Sequence, residues 1–581
     1  ELYGAAGPAF SSAITDAAFT GGGEGGAYVD LNGDGNLWIP SGTVFYSPDA
    51  TATAAEELQS AKDHFFLPQR FRDPFHTDAV PTDSFVSYDD EKLLPISTVD
   101  AAGNRVLADN DYRTLQPWKI TDQNGNQTRV LFDTLGLVIA TSVEGKDGEA
   151  VGDGIDDVVP DLSATELAAL FDGSDPMVVA RPFLASATSR IFYDIHRFAR
   201  SRKLHPDDPK RWQPSGAATV SREMHLSDLE AGQEARLQLG FAYSDGFGRV
   251  IQEKALAEPG AVPVRDQDGN IIVDETATPL MSEDVLAVRW VGSGWTVFNN
   301  KGDPVRAFEP FFSDSHTFEF DSRIGVSPVI LYDPLSRAVA ILNPDQSWEK
   351  VVFDPWQQES WDSNDTVLIA NPSADPDVGG YFARLRPTDY LPTWHAQRAG
   401  GQSGTREMNA AIKAAQHAAT PSRVHFDAMG RPFLTQAQNR YSRDGILIDK
   451  TIETRTELDI EGNERAVQDA RGRTVMRTTY DMLGNPLHTF SMDAGQRWMF
   501  NDIGGAPLLA QNARGHRVRQ HYDQLRRPTQ TWLAENGGDE RLIGQVDYGE
   551  TETDPEARNL RGQAVRMFDQ AGRVDSEAFD F

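Results

Sequence analysis

Cysteine is absent from all 581 residues, and that single absence removes disulfides, thiol nucleophiles and cysteine-ligated zinc together. Extracellular stability, if needed, has to come from packing or ions. Long apolar runs are missing as well: none approaches the roughly 18 residues that would cross a bilayer as a helix, and no charged-then-apolar signal segment opens the chain. The sequence reads as a soluble protein that inserts in no membrane. Positive charge is short, 54 Lys and Arg against 87 Asp and Glu for a formal charge of −33, so a phosphate backbone would be repelled over most of the surface. Nucleic acid is not an expected partner. There is no Gly-x-x-x-x-Gly-Lys-Ser/Thr phosphate loop, no Gly-x-Ser-x-Gly elbow and no His-Glu-x-x-His pair. The 12 histidines show no tight metal spacing; His516 and His521, five apart, suit neither a helix face nor one strand face.

Turn-forming residues are abundant instead, with 49 Gly and 33 Pro. Between Asp459 and Asp523 an Asp or Asn recurs, followed by two spacers, Gly and a basic or polar residue. Starts fall at Asp459, Asp469, Asp481, Asp493 (one spacer short), Asp502, Asn512 and Asp523, that is 10, 12, 12, 9, 10 and 11 residues apart. The acid opens a turn by bonding its own downstream backbone, Gly supplies positive φ, and intervening runs such as "TVMRTTY" and "RWMFN" alternate as half-buried strands do. The signature also appears upstream, in "DAAGN" at Asp100, "DQNGN" at Asp122, "FDTLGLVIAT" at Phe132, "YSDGFGRVIQ" at Tyr243, "YDPLSRAVA" at Tyr332 and "FDAMGRPFL" at Phe426. One hairpin cannot bury its apolar face alone, whereas a long spiral of hairpins makes a continuous sheet with few edges.

Three regions interrupt the pattern. Residues 142–162 are Gly- and acid-rich and read as an exposed loop, followed by a short helix in "SATELAALFDG" with Ser163 or Thr165 as its cap. Residues 201–215 read as a second surface excursion. The Ala-rich stretch from Thr405 to Ala419 is the clearest helix, stopped by Thr420 and Pro421.

Few groups suggest chemistry. "DLNGDG" has the D-x-N-x-D-G order that wraps oxygen ligands around calcium, making Asp30, Asn32 and Asp34 candidate ligands. The bidentate Glu of a full loop is replaced by Gly42, and an Asx-rich turn is the simpler account. Glu550 and Glu552 have the E-x-E spacing of ADP-ribosyltransferases, but no Ser-Thr-Ser-like strand or upstream Arg stands in suitable order. Trp295, Trp348, Trp356, Trp361, Trp394, Trp498 and Trp532 could line a sugar-binding groove; packing between strands is the expected role.

Stretches including "FDTLGLVIATSVEGK", "YSDGFGRVIQEK", "WVGSGWTVFNNKGDPVRAFEPFFS", "WEKVVFDPWQQESWD" and "YDMLGNPLHTFSMDAGQRWMFNDIGG" resemble the RHS (YD-repeat) proteins. More closely, they resemble the B component of three-part Tc insecticidal toxin complexes, after its β-propeller, over nearly the whole chain in consistent order. The resemblance implies an all-β hairpin spiral forming a hollow shell, or cocoon, with a few short helices in insertions. It implies a secreted, non-enzymatic wall without cofactor, which encloses an effector carried by a C-type partner or a contiguous repeat chain and is delivered by a pore-forming A component. The C partner's self-cleaving site has no counterpart here. Glu1 at the start and "SEAFDF" at the end lead us to expect a piece of something longer. The expected divisions are a β segment bordering the propeller (1–84), shell wall (85–400), a helical insertion (401–422) and a regular repeat strip (423–581). A cell-surface adhesion or carbohydrate-binding repeat protein is the alternative.

Overall fold

The computed structural model describes residues 25–266, 271–274 and 279–581. Two large antiparallel sheets dominate, of 14 strands between Thr43 and Ser313 and of 17 strands between Val329 and Asp575. A separate hairpin, Thr296–Phe298 with Pro304–Ala307, lies between them in sequence. With that hairpin as the one detour, every strand pairs with its chain neighbour, so the described residues form a meander wound from short local steps. This is the expected all-β fold with few helices.

The turn at Asp481 shows why the motif has its form. Asp481 Oδ1 accepts from the backbone N–H of Leu483 and of Asn485, both at 2.8 Å, while Asn485 Nδ2 donates to Oδ2 at 3.0 Å. Both carboxylate oxygens are used, which explains the preference for Asp over Asn. Gly484 sits at φ +82° and closes the turn by donating to the Asp481 carbonyl at 3.3 Å. Arg337, Arg431, Arg473 and Arg527 replace the asparagine amide with a guanidinium on Asp333, Asp427, Asp469 and Asp523. Asp493 opens no such turn: Ser491 Oγ accepts from the amides of Asp493 and Ala494, both at 3.3 Å, in a shorter loop.

In a meander alternate turns share an edge, and the two edges differ. In the 17-stranded sheet one edge carries the turns at Asp333, Asp354, Asp427, Asp459, Asp481, Asp502 and Asp523, then the loop after Tyr548. An aromatic stands before the acid in most of these, and we call this the aromatic–Asp edge. The opposite, plain-turn edge carries Asn343, Asp469, Asn512 and, as an exception preceded by Phe568, Asp569. The last four aromatic–Asp starts before that loop, Asp459 to Asp523, lie 22, 21 and 21 residues apart. The structural repeat is therefore a whole hairpin, and the spacing near 11 is half of it. The tyrosine has a defined task. The hydroxyls of Tyr332, Tyr480, Tyr522 and Tyr548 donate to the carbonyls of Pro304, Glu464, Pro507 and Pro528 at 3.0, 3.0, 2.8 and 3.3 Å. Each acceptor is the first residue of a strand in the preceding hairpin. A register shift falls at each of these tyrosines, as a bulge re-aims a side chain.

Helices sit in the insertions. Ser163 caps Ala164–Asp172 through a capping box with Glu166. That helix and Pro176–Leu184 cover the first sheet, burying Phe171, Phe192, Val220, Phe241, Tyr243 and Trp290 in one core. The acidic stretch starts later than expected, because strand Val138–Lys146 takes its first five residues. The second helical insertion fills the whole interval between strands Gln357–Trp361 and Ser422–Phe426. Its three short α-helices before Thr405–Ala415 are rich in Gly, Pro and aromatics and lack a periodic signature. The break between the two sheets, from Ser313 to Val329, falls inside the 85–400 segment.

Candidate functional site

Far along the chain, the aromatic–Asp edge of the second sheet comes to lie against the plain-turn edge of the first. The contacts run in order. Tyr28 Oη donates to the Asn501 carbonyl at 3.0 Å, and Ala27, Phe75 and Ile503 form a small buried cluster. The Arg526 guanidinium lies 4.0 Å from the centre of the Phe75 ring and pairs with Asp502. Gln524 Nε2 donates to the Ala101 carbonyl at 2.9 Å, and Asn104 Nδ2 donates to Glu550 at 3.2 Å. Asn124 exchanges two hydrogen bonds with the Arg561 backbone, at 3.0 and 3.2 Å. Asn126 and Lys146 both donate to Asn559 Oδ1, at 3.1 and 2.8 Å. His225 and Phe581 end the series with ring centres 5.0 Å apart.

Sequence separations across these hydrogen bonds lie between 413 and 473 residues. Both edges rise in residue number in the same direction, so the second sheet is a later lap of the strip, laid edge to edge on an earlier one. Asn104, Asn124, Asn126 and Asn559 are buried there, and their amides are satisfied across the join, as buried polar groups require. Three of them, Asn104, Asn124 and Asn126, stand in the expected motifs "DAAGN" and "DQNGN". The motif accounts for the turn but not for the second set of bonds. Phe75, Lys146 and Asn559 carry no sequence signal that marks them for the seam.

Turns along the edge also brace one another. Arg431 Nη1 donates to the carbonyls of Asp459 and Ile460 at 3.2 and 3.0 Å. Arg337 lies 4.5 Å from the Phe353 ring centre and Arg527 3.8 Å from that of Tyr548, each one aromatic–Asp turn ahead. Such cation–π contacts add to a ladder of small terms. Glu550 pins the seam: it accepts from Arg527 at 2.7 and 3.2 Å, from Asn104, and from the Gly562 amide at 3.0 Å. Burial pushes its carboxyl upward, but the Arg527 guanidinium and the other donors outweigh burial and hold it below the usual range. Glu552 pairs with Arg566 at 3.0 Å. In this structure Glu550 is engaged across the seam, and Glu552 within its own lap.

The remaining candidates lie apart from the seam. Asp30 accepts from the amides of Gly33, Asp34 and Gly35 at 2.8, 3.2 and 2.9 Å, and Asp34 from that of Asn36 at 3.0 Å. Backbone amides therefore hold both carboxylates below the ordinary Asp value, and the loop is a complete Asx turn on its own donors. Trp348 and Trp498 are buried, Trp295, Trp361, Trp394 and Trp532 half-buried, and Trp356 is exposed. They are spread over the strip and frame no single platform.

No protein-family model and no curated protein matches the chain. Solved structures do. A crystal structure of TcdB2-TccC3 is similar over 99% of this chain and 24% of its own, at 23% identity and a TM-score of 0.70. The same assembly without the hypervariable C-terminal region matches over 99% and 26%, at 22% identity and 0.70. A Photorhabdus luminescens Tc holotoxin pore carrying a TccC3 mutation matches over 99% and 26%, at 21% identity and 0.69. The chain thus has the shell-like β fold of these Tc toxin structures, and spans about a quarter of the chains it matches.

Proposed function

We propose that this chain is a lap of the wall of a hollow β-shell, a non-enzymatic part of a secreted toxin complex that encloses and delivers a toxic effector polypeptide. The seam carries this reading, because a strip that returns to its own edge after some 413 to 473 residues has gone round something. From the strand after Phe75 to the strand before Asp502 there are 23 strands in the two sheets. At about 4.8 Å per strand they span about 110 Å, a ring about 35 Å across. Side chains fill a barrel of about eight strands, whereas barrels of about 16 to 18 already leave an aqueous channel. A sealed space of that size keeps an unfolded apolar chain from aggregating with others.

The likeness to TcdB2-TccC3 and to a Tc holotoxin pore supports the partners: a C-type repeat chain with its effector, and a pore-forming component. No helix among the described residues is long and apolar enough to cross a membrane, which fits a wall whose delivery step belongs to another component. Electron microscopy of the native, full-length assembly tests the reading. A β-walled shell with weak, unordered internal density is expected; a filled solenoid would overturn it.

A further inference from the structure

The aromatic–Asp edge places an apolar residue one or two positions after the opening acid, and contact with an earlier lap decides whether that residue is covered. At the seam Ile503 is 8% exposed, packed with Ala27 and Phe75. One and two hairpins earlier on the same edge, Met482 and Ile460 hold the same place in their turns and are each 88% exposed. Further back, Met429, Trp356 and Leu335 are 72%, 59% and 73% exposed. Apolar residues scattered singly over a surface need no explanation. A row just after the opening acid, on one edge, continuous with a buried member, marks an unfilled interface.

We infer that this upstream row is a further stretch of the same seam, and that it docks another lap of β-hairpin strip, the one preceding this lap along the spiral, by its plain-turn edge. Three observations select that occupant. The Asp481 turn directly precedes the Asp502 turn on the same edge, so the interface is continuous. In the established seam every later aromatic–Asp turn faces an earlier plain-turn edge, which fixes both the polarity and the direction of the partner. Successive tips on the edge are two strands apart, about 9.6 Å where they are regular. Only an edge with the same hairpin pitch meets them in register, and an unfolded cargo chain has no such pitch. The partner therefore offers turn carbonyls and side-chain amides like those of Asn104 and Asn124, with an apolar residue in the place of Phe75.

This inference rests on the lap geometry of the proposed shell and is independent of what the shell contains. The test is a photo-reactive benzoylphenylalanine in place of Met482, and separately of Ile460, in the native full-length assembly, with cross-linked peptides identified by mass spectrometry. Cross-links to a plain-turn segment of another lap are expected. Cross-links to effector, to a pore-forming component or to a second copy of the assembly would overturn the inference. So would no cross-link in particles that microscopy shows to be intact shells. The unsubstituted assembly gives an independent readout: hydroxyl radicals should oxidise Met482 at least tenfold more slowly than a free methionyl peptide, and oxidation at the free rate would also overturn the inference. Shells lacking a cavity but carrying the cross-link would sink the enclosing role alone.

Discussion

The strands of the first sheet and those of the later strip are built from the same alternation, yet they are stabilised differently. Strands Ser189–Asp194 and Leu237–Ser244 bury every second residue under the helices of the first insertion. Strands Pro486–Ser491 and Arg517–Tyr522 are half-buried at every position, because no helix among the described residues covers either face. In the first region stability is concentrated in one core; in the second it is spread over turn acids, tyrosine hydroxyls, arginine braces and the seam. A strip bare on both faces suits the proposed wall.

The largest expected effect breaks the first side of this comparison. Phe171 is fully buried and meets Phe241 and Tyr243 at 5.5 and 6.4 Å between ring centres. Phe171→Ala should cost about 3–5 kcal/mol, read as lost amide-exchange protection confined to strands 189–257. Trp532→Ala in the bare strip should cost less than half as much by the same measure; equal losses would refute the contrast. Next comes the seam. Glu550→Gln should cost about 1.5–3 kcal/mol at neutral pH, the range for hydrogen bonds to a charged group. Its folded carboxyl is held below the ordinary 4.5, so its contribution is full above about that pH and is lost as the pH falls further. The gap between wild-type and variant melting curves should therefore close below pH 4.5; a gap constant with pH would remove Glu550 as the pin.

A smaller effect tests the tyrosine lock. Tyr522→Phe removes one hydroxyl from the Pro507 carbonyl and keeps the ring, so about 0.5–1.5 kcal/mol should be lost. Exchange at residues 507–512 should rise first. The smallest concerns the Asp30 loop, which backbone amides already satisfy: EDTA should leave the melting temperature unchanged, and a shift reversed by calcium would instead assign Asp30, Asn32 and Asp34 as ligands.

Much of the strip was legible because its determinants are local. An Asp that bonds its own amides at two and four residues' distance, a Gly at positive φ and a following Asn or Arg fit within five residues. Strand and turn therefore follow from short windows, as at Asp459 and Asp481. The spacing near 11 residues, in contrast, concealed the hairpin as the unit, because nothing in a single strand says which edge its turn will occupy. The helical insertion before Thr405 and the later start of the acidic loop were missed for a related reason. Short helices with Pro and Gly carry no period, and a strand can continue into acid-rich sequence when its neighbour supplies the pairing.

By itself the sequence determined an all-β chain of repeated turns, closed to disulfide and thiol chemistry, with a formal charge of −33, and similar to toxin-shell repeats. Tertiary structure alone decided that the strip returns to itself, which asparagines leave their own turns to join laps, and that Ile503 is covered while Met482 is bare. The division has one physical cause. Turn chemistry acts over about five residues and is written where it acts. The seam joins residues more than 400 positions apart, and its partners are fixed by the summed pitch and curvature of every strand between them, which no local motif records.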